Sequence, residues 1–141
     1  MTVAALYLPQ TLALVALSFL TGLVILIGRS VDLLRRERGI AFYEEFSGLG
    51  APGWVTRPTR QLANQFEFPV LFFILVALLV AIPVQDQIIA TLAWCYVGLR
   101  WAHAICQITV NRLYIRTPLF MIGNLVLLTM WGRLAAIIFA G

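Results

Sequence analysis

The first 28 residues carry no charged side chain. Within them, residues 10–28 form an apolar run long enough to cross the roughly 30 Å hydrocarbon core of a bilayer as a helix. Such a run has few alternatives, because backbone polar groups in lipid must be paired within the segment itself. It reads as a span rather than a cleaved signal peptide. No positively charged region precedes it, no small-residue cleavage site follows, and the first arginine, Arg29, comes after the apolar run. Three more runs follow, over about residues 68–84, 88–107 and 118–140. The expected fold is therefore an all-α membrane protein, a four-transmembrane-helix bundle. Residues 1–141 form one domain in this reading, and residues 29–67 are its one substantial loop.

Composition excludes the soluble alternatives. Apolar residues make up 62% of the chain and charged residues 11%, whereas a soluble domain carries about 25% charged residues. All ten basic residues are arginine; eight lie between apolar runs and two, Arg100 and Arg133, within them, rather than along one open face. The net charge of +4 is therefore no nucleic-acid footprint. Cys95 and Cys106 share the third run; on one helix they are about 16 Å apart, too far for a disulfide.

The arginines also set an expected orientation. Arg29, Arg35, Arg36, Arg38, Arg57 and Arg60 lie between spans one and two, and Arg112 and Arg116 between spans three and four. The N-terminus, the Gln85-Asp86-Gln87 turn and the C-terminal tail carry none. By the positive-inside rule both arginine-bearing loops are cytoplasmic and both termini lie on the other side. In the first loop, Ser30 to Arg38 is expected to continue helix one. The glycines and proline from Gly48 to Gly53 should break it, and helix should resume from Thr59. Thr117-Pro118 reads as an N-cap and first-turn proline opening the last helix. Arg133 has no polar cluster around it and is expected to snorkel to the interface.

The informative polar groups recur at helical spacing. Arg60, Asn64 and Glu67 stand at i, i+4 and i+7, on one face just before span two. Pro69 should free a carbonyl near Gln65 and kink the helix. Arg100, His103 and Gln107 repeat the arrangement in span three. A charge at membrane depth costs roughly 2.5–3.5 kcal/mol on insertion scales, so such groups pair or face a polar cavity. Glu67 with Arg100 is the simplest pairing. The bland reading carries about equal weight: an ion pair and amides that only hold helices together.

At these residues the sequence resembles a known family. Arg60-x3-Asn64-x2-Glu67-x-Pro69 before an apolar helix resembles the second-helix signature of the membrane-associated proteins in eicosanoid and glutathione metabolism, the MAPEG family. Arg100-x2-His103, followed by Arg116-Thr117, resembles the third-helix and loop signature of its prostaglandin E synthase branch. The resemblance implies a homotrimer of four-helix subunits, with sites between neighbours near the cytoplasmic face. It also implies glutathione as thiol substrate or cofactor, and a lipophilic small-molecule electrophile arriving from the bilayer lipids.

Carried over by position, Arg60, Asn64, Glu67, Arg100 and His103 would bind glutathione, and Arg116 would stabilise its thiolate as the catalytic residue. Arg35 or Arg36 would add an anion contact. The chemistry is apt, since two carboxylates and an ammonium call for arginines and a glutamate. Gln107 and Phe120 depart from the branch, which has tyrosines there, and Ala63 departs where it has a second arginine. The pattern is that of a diverged bacterial-type member, in an inner membrane. The competing function is a non-catalytic membrane scaffold or accessory subunit of a larger membrane complex. No metal-ligating spacing is present.

Overall fold

The structure, a computed structural model, describes residues 2–35, 38–45 and 50–140. Its elements are α1 (Val3–Leu34), α2 (Ile40–Glu44), α3 (Gly53–Gln65), α4 (Phe68–Ala81), α5 (Gln87–Ile108) and α6 (Leu113–Ala140). Among the described residues there is no strand, and α1, the α3–α4 unit, α5 and α6 are long and apolar enough to cross a membrane. The all-α, four-span fold expected from the hydropathy pattern is the fold observed.

α5 is the central helix. In its most apolar stretch 44% of residues are buried, against 17% in α1. Its Ile89, Ala93 and Tyr96 pack with Tyr7 and Leu14 of α1, Phe72, Leu75 and Leu79 of α4, and Leu127, Met130 and Leu134 of α6. The Tyr96 ring stacks on Phe72 with centroids 5.2 Å apart. Trp101 Nε1 donates to the Ala13 carbonyl at 3.2 Å and pins α5 to α1. The outer surface is as apolar as the core: Phe19, Leu26, Leu125, Leu128 and Phe139 are all exposed. In water that surface would aggregate; in a bilayer it meets a solvent of its own polarity.

The helix boundaries correct several expectations. α1 runs to Leu34 and is capped at Arg35; Arg36 and Glu37 lie outside the described residues, as do Phe46 to Leu49. The chain folds back, so that Arg38 Nη1 meets Asp32 Oδ1 at 2.7 Å and the Tyr43 hydroxyl donates to Asp32 Oδ2 at 2.6 Å. Arg38 Nη2 donates to the carbonyl of Gly50 at 2.8 Å, and Gly50 itself takes φ +77°, a conformation that costs glycine little. α3 begins at Gly53 with Pro52 as N-cap, six residues ahead of the expected Thr59. Proline and glycine open this helix because its first N–H groups have no partner to lose.

Pro69 does more than kink. Phe66 and Glu67 leave the helical conformation, with Glu67 at φ −94°, ψ −108°, and α4 restarts with Pro69 in its first turn. At the other loop α6 starts at Leu113, so Thr117 is no N-cap and Pro118 lies within the helix. That proline removes the bond to the Tyr114 carbonyl, in a first turn where Tyr114 is exposed. Arg133 also departs from expectation. It does not snorkel alone: its Nε and Nη2 donate to Asp86 Oδ2 at 3.2 and 2.9 Å.

Candidate functional site

The break at Phe66–Glu67 and the short α5–α6 connection lie at the same end of the bundle, the arginine-rich end. Arg57 ties α3 to the end of α5, its Nη1 donating to the Thr109 carbonyl at 2.6 Å, where a cation is favoured by the helix dipole. Between them lies a cavity of about 440 Å³. α3 contributes Arg60, Ala63 and Asn64, the break contributes Glu67, α5 contributes His103 and Gln107, and α6 contributes Arg116, Thr117 and Phe120. Of the six site residues carried over from the family resemblance, Arg60, Asn64, Glu67, His103 and Arg116 line one cavity, together with Gln107.

Asn64, Gln107, Arg116 and Phe120 of the wall are held by specific contacts. Asn64 Nδ2 donates to Gln107 Oε1 at 3.0 Å, which fixes α3 against α5. Arg116 Nη1 donates to Asn111 Oδ1 at 2.8 Å. Asn111 can reach it because the connection turns through a left-handed conformation there, φ 51°, which Asn tolerates better than most residues. Phe120 is an aromatic wall: its centroid lies 5.7 Å from the His103 ring and 5.5 Å from Phe68, the latter edge-on. Glu67 is exposed, Arg116 is half-buried, and neither Arg60 nor Arg116 forms an ion pair among the described residues.

Arg100 is the residue whose position differs. It is 1% exposed and lies behind the cavity rather than in its lining. It does not pair with Glu67, contrary to the simplest sequence expectation; Nη2 donates instead to the Asn64 carbonyl at 2.9 Å. The reason is the helix break. Had α3 continued, Asn64 O would have accepted from Phe68 N; with the helix ended, it is an orphan acceptor available to the guanidinium. Arg35 is also absent from the lining.

The comparison with known families agrees with this geometry. The MAPEG family model matches residues 11–136, which include every residue of the cavity wall. The chain belongs to the MAPEG family. It is an integral, multi-pass membrane protein. No curated protein and no solved structure matches it. Within this MAPEG chain, sequence reasoning overlooked Asn111 as the residue that orients Arg116; an asparagine one residue before an arginine, in a short polar connection between spans, was the available signal. The resemblance implied a ligand contact for Arg100, whereas its side chain lies one layer behind the cavity lining.

Proposed function

We propose that this MAPEG protein binds glutathione in the cavity and presents its thiolate to a lipophilic electrophile that arrives from the bilayer, as a transferase or peroxidase. The observation that carries the reading is the composition of the cavity wall. Two unpaired arginines and one glutamate complement the two carboxylates and one ammonium of the tripeptide. The volume, about 440 Å³, falls in the range of small-molecule sites, about 300–1,000 Å³. Arg60, Asn64 and Glu67 would hold the backbone charges, His103 would lie beside the peptide, and Arg116 would stabilise the thiolate, the form that acts as nucleophile.

A second, apolar cavity of about 320 Å³ runs between α4 and α6 from Phe68 past Leu71, Leu128 and Trp131. Phe68 packs on Phe120 of the polar cavity, so an apolar substrate following this groove arrives beside the proposed thiolate. In this reading both arginine-bearing loops are cytoplasmic, the termini are outside, and the working unit is a homotrimer in which a neighbour completes each site.

The test is Arg116→Ala in purified protein with a soluble test electrophile. Turnover should fall by roughly 10²–10³-fold, the scale for losing one transition-state charge stabiliser. Glutathione affinity should change less, while Arg60→Ala should weaken affinity first. Absence of glutathione binding at millimolar concentration would leave the second reading, a non-catalytic scaffold or accessory subunit. That reading is favoured by Ala63, Gln107 and Phe120, which supply no arginine or hydroxyl where the prostaglandin E synthase branch has them.

A further inference from the structure

Arg100 is a buried cation without an ion-pair partner among the described residues, and Glu67 acts on it only from a distance. Its Nε and Nη1 are buried without a hydrogen-bond partner, and no carboxylate among the described residues forms an ion pair with it. The side chain is shielded within the isolated chain, so a neighbouring copy cannot reach it to supply one. The titratable groups around it are Tyr96 and His103 on α5 and Glu67 at the α3–α4 break; α6 presents the Phe120 ring, 5.9 Å from Arg100 Cζ. A lone buried cation in a membrane helix is costly, and pairing is the usual remedy.

Three neighbours of Arg100 form part of the cavity wall: Asn64, His103 and Phe120. One side-chain layer therefore separates the guanidinium from whatever occupies the cavity. We infer that Arg100 is a positioning residue of an electrostatic kind, a fixed uncompensated charge whose field favours an anion, here the thiolate, in the cavity it does not touch. The inference rests on the glutathione reading above. A carboxylate in contact with Arg100 would weaken that field; Glu67, exposed at the helix break, acts on it without forming an ion pair. Two unit charges roughly 9 Å apart, at an effective dielectric constant of about 20, shift an ionisation by about one pH unit. The competing role is purely structural, with Arg100 merely tying α5 to the end of α3.

The experiment uses the full chain in lipid nanodiscs, with bound glutathione and the ultraviolet absorbance of its thiolate followed against pH. Arg100→Gln keeps a donor for the Asn64 carbonyl but removes the charge. It should raise the thiol midpoint by about one unit, a tenfold loss of thiolate at neutral pH. Arg100→Lys, which keeps the charge, should restore most of that shift. Affinity at acid pH, where the thiol is protonated in every variant, should change less than about threefold. An unmoved midpoint with glutathione still bound overturns the inference. Melting temperature separates the two failures. Arg100→Gln should melt no lower than wild type, since it removes a costly buried charge, whereas a structural anchor would melt lower. If wild-type protein binds no glutathione, the proposed function fails, and the melting comparison alone decides whether Arg100 is an uncompensated charge.

Discussion

The two ends of the bundle treat charge in opposite ways. At the α4–α5 turn, Asp86 caps α5 through the Ile89 N–H at 2.8 Å and meets Arg133 of α6 through its other oxygen. The Tyr7 hydroxyl of α1 donates to the Val84 and Asp86 carbonyls at 3.3 and 3.2 Å and accepts from Asp86 N at 3.1 Å. One acidic residue there closes three helices and leaves its own charge matched. At the opposite end Arg60, Arg100 and Arg116 form no ion pair among the described residues. Local neutrality makes the first end a clamp. The surplus of cation at the second suits the anionic ligand proposed for it.

Removing the clamp should have the largest effect on stability. Asp86→Ala loses both an N-cap and a partly exposed ion pair, and should lower unfolding free energy by about 2 kcal/mol. Thermal melting in detergent would measure this, with glutathione affinity unchanged because the cavity lies at the other end. An affinity loss as large as the stability loss would mean that the two ends are not independent. The same residue predicts a pH dependence. Burial raises the Asp86 carboxyl, but the hydrogen bonds from Arg133 and the Ile89 N–H outweigh it and hold the group below its ordinary range. A depressed folded-state value contributes stability above about pH 4, the unfolded value, and that contribution disappears as pH falls through the folded one. Wild-type protein should therefore lose stability in acid more steeply than Asp86→Asn.

Asn111→Gly sharpens the receptor end. Glycine keeps the left-handed turn but frees Arg116, and a loosely held stabilising group costs on the order of tenfold in turnover. The melting temperature should hardly move. Equal turnover in the two proteins would show that Asn111 does not orient Arg116. Smallest of all, Arg133→Gln should cost less than about 1 kcal/mol, since its pair is substantially open to solvent. A loss beyond that would make Arg133 a structural centre rather than one arm of the Asp86 clamp.

Where hydropathy governs, the sequence was a good guide. α5 was expected over residues 88–107 and is observed at Gln87–Ile108, because an acidic N-cap and a polar turn bound it on one side. Prolines were read less well. Pro69 was given a kink and produced a break, and Pro118 was given a helix start and stands inside one. Proline removes one hydrogen bond wherever it falls, and its neighbours decide whether the helix survives. The convergence of Arg60, Asn64 and Glu67 was legible from spacing, although Glu67 reaches the cavity from the helix break and not from a continuous helix face. The Arg133–Asp86 pair was not, since its partners are 47 residues apart and meet only through the packing of α6 on α5.

The brevity of α4 has a consequence for the lipid around it. Its fourteen residues rise about 21 Å, well short of a hydrocarbon core of roughly 30 Å. The residues after it add little height, because Val84 N turns back to the Leu79 carbonyl at 2.9 Å. The segment long enough to cross is α3 and α4 together, so the tip of α3 has to supply the missing height and the Glu67 break is expected near the headgroup level. Acyl-chain length is thereby expected to act on the proposed site. A thicker membrane draws the polar mouth of the cavity deeper, and a thinner one lifts it toward water.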